Sequence, residues 1–179
     1  MRATLLLALC ATVLAARASS GNLITNGSFE APQIAAGTTV TYAAGSTAIA
    51  GWTVVGIDSS LIDGGFTQSG ITFQPQQGEQ WIDLAAHSSN SQTSGVTQNI
   101  TTTAGQRYAI NFYVGSATDN FFFYPATVDL SISGGPRVSY TNPSAPNNML
   151  NWRPFTVNFT ATNSNTNITF FNGGASSNF

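Results

Sequence analysis

The sequence has very little charge. Seven of its 179 residues are acidic and five are basic, and none is lysine. Soluble domains usually carry about 25% charged residues, whereas this chain has 7% and obtains its polar surface from 23 Thr, 19 Ser and 16 Asn. Without lysine the chain cannot form the basic surface that neutralises nucleic-acid phosphates, so we expect no nucleic-acid partner.

The first 18 residues have the pattern of a secretory signal peptide. Arg2 supplies a positive charge, residues 4–14 form an apolar run, and small residues flank Arg17 before the predicted cleavage point after Ala18. The run is shorter than the roughly 20 apolar residues that a transmembrane helix needs. We therefore predict a secreted, extracellular protein without a transmembrane segment, whose single domain extends from residue 19 to residue 179.

Cysteine and histidine occur once each, as Cys10 and His87. Because Cys10 lies in the predicted signal peptide, the mature chain has no thiol for a disulfide, a thiolate zinc site or a redox pair. A single histidine excludes multi-histidine metal sites, and His87 is predicted to lie in a loop.

Alternating apolar and polar side chains predict β-strands along most of the chain. The alternation is clearest at residues 107–114, 126–133 and 155–161, as in a sheet with one face on a core. Shorter matches lie at residues 23–24, 52–55, 80–84, 96–101, 139–142 and 168–172. Residues 31–50 show no clear pattern. Turns rich in glycine, proline and asparagine separate the runs, which is typical of an all-β antiparallel sandwich or jelly roll.

Four Asn-X-Ser/Thr sequons, at Asn26, Asn99, Asn158 and Asn167, predict N-glycosylation sites. A chain this rich in Asn and Thr produces some sequons by chance. The alternation, however, places the last three on outward faces of strands, where a glycan can be accommodated.

A series of short motifs resembles the secreted family called domain of unknown function 642, known from plant cell walls and bacteria. Residues 22–30, NLITNGSFE, are similar to the family's opening NLI-x-NG-x-FE. Further matches follow in the expected order at residues 51–54, 61–63, 78–84, 96–100, 104–108, 152 and 155–157. The resemblance extends over nearly all of the predicted mature chain.

This resemblance implies a galactose-binding-like β-sandwich associated with cell walls or extracellular polysaccharide, with no enzymatic activity of its own. Plant members are described as interacting with pectin methylesterases, but this chain lacks the cysteines of the plant branch, which argues against that partner. Family members also continue beyond the segment that corresponds to Phe179. We therefore predict that this chain lacks the last strand of the sandwich.

Trp81 and Asp83 are the main candidate ligand-binding residues. They alternate with Ile82 and Leu84, so if the latter two face the core, Trp81 and Asp83 share the accessible side. An exposed indole stacks on the C–H face of a sugar ring, and a neighbouring carboxylate accepts hydrogen bonds from its hydroxyls. The alternative is that Trp81 fills a gap between the two sheets.

The remaining aromatic residues are divided between core and surface. Trp52 and Trp152, each at the start of a predicted strand, are expected in the core. Phe122 and Tyr124 belong to an aromatic run at residues 121–124. That run is either an exposed patch that contacts a ligand or partner, or the start of a strand with alternate rings buried.

Metal and catalytic sites have weaker support. Jelly-roll carbohydrate modules often hold a structural Ca²⁺; Glu30 matches the first-strand acid of such sites, but the partner in the last strand is absent. No other cofactor is expected. Glu79 and Asp83 would lie roughly 13 Å apart on a strand, farther than the about 5 to 9.5 Å between glycosidase carboxylates.

The sequence therefore predicts a secreted, non-catalytic carbohydrate-binding module that contacts cell-wall or extracellular polysaccharide. Two alternatives stay open. One is a structural or adhesive protein that binds a cell-wall protein through the aromatic run at residues 121–124, and the other is a polysaccharide hydrolase.

Overall fold

The computed structural model describes residues 21–85, 91–117, 125–143 and 150–174. Their regular structure consists of β1 (Thr39–Ala43), β2 (Thr53–Val55), β3 (Asp58–Asp63), β4 (Thr67–Gln68), β5 (Ile71–Thr72), β6 (Gln80–Asp83), β7 (Gly95–Thr101), β8 (Arg107–Ser116), β9 (Ala126–Ile132), β10 (Val138–Asn142), β11 (Asn151–Thr160) and β12 (Asn165–Asn172). Within these four ranges no helix is long and apolar enough to cross a bilayer.

The strands form two layers. One layer is a five-stranded sheet in the order β10-β9-β12-β7-β2, and the other contains the three-stranded sheet β1-β3-β6 and the pair β11–β8. Every pairing between these strands is antiparallel. The predicted all-β antiparallel sandwich is therefore confirmed. The last described strand, β12, is central in the five-stranded sheet, between β7 and β9.

Two apolar clusters fill the space between the layers. The first packs the five-stranded sheet against the three-stranded one and contains Ile49, Trp52, Val54, Leu61, Leu84 and Val96. The second packs the five-stranded sheet against the β8–β11 pair and contains Ile100, Ile110, Leu130 and Ile168. Both smaller sheets thus cover the same face of the five-stranded sheet, which makes the sandwich continuous.

Most predicted strands are present, with two differences. Residues 23–24, predicted as a strand, lie in an irregular segment. The sequence pattern also missed β1, β3 and the short β4–β5 pair. All six residues of β3 are buried, so it has no solvent-facing set of side chains to create an alternation. In β1 the side chain of Tyr42 alone is partly buried, because this strand pairs only with β3.

Side-chain amides attach the irregular segment before β1 to the sandwich. The amide of Gln98 accepts a hydrogen bond from the N–H of Thr25 (2.8 Å) and donates one to its carbonyl (3.0 Å). Trp52 donates its indole N–H to the carbonyl of Asn26 (3.1 Å). These bonds replace the ladder that a strand would have supplied.

Gln80 makes a second attachment from the inner face of β6. Its side chain is 1% exposed. The amide oxygen accepts from the N–H of Ile34 (3.0 Å), and the amide nitrogen donates to the carbonyls of Phe29 and Pro32 (2.7 Å for the latter). One buried amide therefore pairs three backbone groups of the N-terminal segment.

Asp63, at the end of β3, connects two loops. Its carboxylate Oδ1 accepts hydrogen bonds from the N–H groups of Gly37 (2.6 Å) and Gly65 (2.9 Å). The hydrogen bond from Gly37 lowers the pKa of Asp63 from its usual value most, the bond from Gly65 lowers it further, and burial of the carboxyl opposes both. The ionised carboxylate therefore contributes to the closure of these loops.

We expect part of the acid sensitivity of the protein to come from Asp63. Because its pKa is lower in the folded than in the unfolded chain, its contribution is complete above the unfolded pKa and is lost as the pH falls through the folded one. Asp63→Asn keeps an acceptor oxygen without the charge and should cost about 1–2 kcal/mol at neutral pH. In urea unfolding, the difference between wild type and variant should shrink in strong acid. A constant difference would contradict this prediction.

Candidate functional site

The outer face of the three-stranded sheet carries Trp81 and Asp83. The strand register produces two cross-strand rows on this face: Thr39, Ile62 and Trp81 in one row, and Thr41, Ser60 and Asp83 in the next. Ile82 and Leu84 point the other way and contact the core. The alternation predicted for this strand is therefore confirmed, and Trp81 does not lie between the two layers.

A short hairpin, β4–β5, covers part of the same face. Ile71 in β5 and Phe73 immediately after it form a third apolar cluster with Ile62, against which Trp81 packs. Trp81 donates its indole N–H to the carbonyl of Phe73 (3.2 Å), and the two rings lie 6.1 Å apart. Trp81 is consequently half-buried and fixed in orientation, whereas the sequence left open an exposed ring and a ring that fills a gap between sheets.

A shallow surface pocket with a volume of about 90 Å³ opens beside Trp81. It is lined by Thr39, Ser60, Ile62, Phe66, Gln68, Phe73, Trp81 and Asp83. The three aromatic rings form apolar walls, and the hydroxyl, amide and carboxylate groups provide hydrogen-bonding positions. The pocket is smaller than the about 300–1,000 Å³ of typical small-molecule sites, which likewise combine apolar walls with a few polar groups. The described side chains around Trp81 have this combination.

Trp152 extends the aromatic surface next to the pocket. Its ring meets that of Trp81 edge to face, with centroids 5.8 Å apart and planes at 80°. The prediction that Trp152 belongs to the core is wrong, because it points to the outer face of β11 and is only half-buried. Trp52, by contrast, is 3% exposed and lies in the core as predicted.

The family model described as "Protein of unknown function (DUF642)" matches residues 22–178. The chain belongs to the DUF642 family. The resemblance seen in the short motifs is thereby confirmed over nearly the whole sequence.

Solved structures give distant similarities to this DUF642 chain. An exo-β-1,3-galactanase from Phanerochaete chrysosporium, in complex with β-1,3-galactotriose, has 22% identity and a TM-score of 0.42 over 78% of this chain and 26% of its own. A family 35 carbohydrate-binding module from Clostridium thermocellum has 17% identity and a TM-score of 0.42 over 78% of this chain and 90% of its own. This chain thus spans about a quarter of the galactanase. No curated protein matches it significantly in sequence.

Glu30, the predicted calcium ligand, has a different environment in the DUF642 chain. Its carboxylate accepts hydrogen bonds from the N–H groups of Glu79 (3.1 and 3.3 Å) and Gln80 (3.4 Å). Where the structure describes the chain, no three acidic, His or Cys side chains form a metal-binding group. Calcium needs six to eight oxygen ligands, and the contacts given above for this carboxylate are with N–H donors, so calcium binding at Glu30 stays a prediction.

The sequons fall into two pairs. Asn26 donates both N–H groups of its amide to backbone carbonyls (2.7 and 3.1 Å), and Asn167 donates both of its own to Thr97 (2.8 Å) and Asn99 (3.0 Å). An N-linked glycan replaces one of these hydrogens, so each of these two residues would lose a bond. Asn99 and Asn158 are exposed, as their outward positions predicted, and are better placed to carry a glycan.

Three predicted features lie outside the described residues: the signal peptide at residues 1–18, His87, and the aromatic run that contains Phe122 and Tyr124. The sequence pattern missed the contribution of the β4–β5 hairpin, because each of its strands is too short to show an alternation. Its signal was nevertheless present, as Phe66 and Phe73 flank a turn at Ser69-Gly70.

Proposed function

We propose that this DUF642 protein is a secreted, non-catalytic carbohydrate-binding module that contacts cell-wall or extracellular polysaccharide through the pocket beside Trp81. The observation that carries the proposal is the placement of Trp81 and Asp83 on one outer sheet face, around a single pocket. The indole offers an apolar surface for the C–H face of a sugar, and Asp83 and Thr39 offer a carboxylate and a hydroxyl for its polar edge.

Rigidity of the site supports the same conclusion. The indole N–H of Trp81 is bonded to the backbone of Phe73, and the Ser60 hydroxyl is bonded to that of Thr41 (2.7 Å). Side chains held in this way lose little conformational entropy when a ligand binds. A shallow site with few contacts gains most from this kind of preorganisation.

A non-catalytic role is supported by the acidic groups of the pocket. Among its described lining residues, Asp83 is the one carboxylate, whereas glycoside hydrolases use two that flank the scissile bond. The adhesive alternative depends on residues 121–124, which the structure does not describe, and stays a prediction.

Trp81→Ala should weaken sugar binding by about tenfold or more, because the loss of one aromatic stacking surface removes about 1.5 kcal/mol. Asp83→Asn, which keeps the size of the side chain, should weaken binding of the same sugar by a smaller factor. The purified protein would be tested for retention on galactan, xylan, glucomannan and cellulose, with affinity then measured by calorimetry on the retained polysaccharide.

The matched control is Val138→Ala, because Val138 is 52% exposed and lies on β10, at the edge of the opposite sheet. Circular dichroism and thermal unfolding must show that Trp81→Ala is folded. Equal retention of the wild type and both pocket variants would show that the sugar binds outside the pocket beside Trp81. Release of reducing ends by the wild type would contradict the non-catalytic role.

A further inference from the structure

Trp152 lies flat on the backbone of the neighbouring strand. Its cross-strand partner in β8 is Gly115. A Cβ atom added to Gly115 would stand 2.8 Å from Cζ3 and 3.0 Å from both Cε3 and Cη2 of the indole. Nearly equal distances to three consecutive ring atoms mean that this position lies above the ring and not beyond its edge. One indole face therefore covers Gly115, and the other is turned away from the sheet.

Two further contacts fix the orientation of this ring. The indole N–H of Trp152 donates to the carbonyl of Gln74 (3.0 Å), and the edge-to-face contact with Trp81 sets the ring beside the pocket. The absence of a side chain at Gly115 allows the close approach. Trp152 is thus a second preorganised aromatic surface, next to the first one.

The same outer face continues along the β8–β11 pair beyond Trp152. Two residues further along, Pro154 pairs with Tyr113, which is 46% exposed. Two residues beyond these, Thr156 pairs with Asn111 and donates its hydroxyl to the Asn111 side-chain oxygen (2.8 Å). Each step of two residues advances about 6.6 Å along a strand, so the row offers aromatic and amide groups at regular intervals.

None of the six residues in this row is charged. The row consists of Trp152, Gly115, Pro154, Tyr113, Thr156 and Asn111, and a charged residue, Arg107, appears only at the far end, where it pairs with Thr160. A charged polymer would gain no ionic contact along this surface. An uncharged chain of rings with hydroxyl groups matches both its apolar and its polar positions.

We propose that a linear, uncharged polysaccharide lies along this row, with one sugar unit in the pocket beside Trp81 and further units on Trp152 and Tyr113. This inference rests on the proposed function, to which it adds the class of ligand. The site then binds several consecutive sugar units within a polysaccharide chain. The flat indole over Gly115 is the surface that joins the pocket to the rest of the row.

The test compares ligands of different length and charge. Affinities of the purified protein would be measured by calorimetry for disaccharides and hexasaccharides from β-1,4-galactan, glucomannan and mixed-linkage glucan, and for polygalacturonate. We expect the hexasaccharide of the recognised polysaccharide to bind at least about tenfold more tightly than its disaccharide, with little dependence on salt.

Variants separate the row from the pocket. Tyr113→Ala, which changes an exposed side chain, should reduce the affinity for the hexasaccharide about fivefold or more while the disaccharide affinity changes less than twofold. Trp152→Ala should weaken both ligands, because the second unit of a disaccharide in the pocket reaches Trp152. Trp152→Phe, which keeps a flat ring, should recover most of the loss, and Val138→Ala on the opposite sheet should have no effect.

Each result decides between the two proposals. If disaccharide and hexasaccharide bind equally and Tyr113→Ala and Trp152→Ala change neither affinity, the extended row is refuted while the pocket beside Trp81 stands. Tighter binding of polygalacturonate than of the neutral chains would also overturn the row. If no saccharide of either length binds, the proposed function itself fails.

Discussion

Gln80→Leu should lower the free energy of unfolding by about 3 kcal/mol or more. Leucine nearly matches the size of glutamine but leaves three backbone groups without their partners: the N–H of Ile34 and the carbonyls of Phe29 and Pro32. Each buried group that loses its hydrogen bond costs about 1–3 kcal/mol. Gln80 is 1% exposed, so water cannot replace the lost bonds without opening the structure.

The measurement is equilibrium urea unfolding monitored by tryptophan fluorescence. Gln106→Leu is the matched control, because Gln106 is exposed and its amide makes one long hydrogen bond of 3.5 Å. Gln80→Glu adds a second comparison, since a carboxylate accepts hydrogen bonds but cannot donate to the two carbonyls. A loss below about 1 kcal/mol for Gln80→Leu would show that the N-terminal segment is held mainly by other contacts.

The position of Gln80 also shows that the residues of the motif GEQWIDL, at positions 78–84, have different roles. Gln80 faces inward and holds the N-terminal segment, whereas Trp81 and Asp83 face outward and line the pocket. Structural and candidate ligand-binding residues therefore alternate within one strand. A motif of this kind marks a segment as important without showing which of its residues contact a ligand.

The fold was largely predictable because most strands have one face on the core and one in solvent. In β8 the buried residues Ile110 and Val114 alternate with exposed Asn111 and Tyr113, and this arrangement is visible in sequence. In β3, with both faces covered and serine and aspartate inside, the alternation is absent. There the burial of polar side chains depends on hydrogen-bonding partners far away in sequence.

The site was predictable only in part, for a related reason. Strand alternation placed Trp81 beside Asp83, because residues two apart on a strand share a face. The packing of the hairpin at Phe73 and of Trp152 against Trp81 depends on contacts across 8 and 71 positions of sequence. Local patterns do not specify such contacts, so the sequence alone predicts a core position for Trp152.

Trp52→Ala should destabilise the protein by about 3–5 kcal/mol, the range expected for removal of a large buried aromatic side chain. Trp52 is 3% exposed, stacks on Phe29 with ring centroids 5.2 Å apart and lies 6.3 Å from the Phe170 ring. It therefore joins the N-terminal segment to the centre of the five-stranded sheet, so its loss should loosen both.

Trp52→Phe separates the contribution of ring stacking on Phe29 from that of the indole hydrogen bond. Phenylalanine keeps an aromatic ring for the stack on Phe29 but cannot donate the hydrogen bond to the carbonyl of Asn26, so we expect a smaller loss than for Trp52→Ala. In a double-mutant cycle with Phe29→Ala, the coupling energy should be about 1 kcal/mol. Additive effects of the two substitutions would show that the Phe29 and Trp52 rings do not stabilise each other. Positive coupling would show that the segment containing NLITNGSFE stabilises the sandwich through this contact with its core.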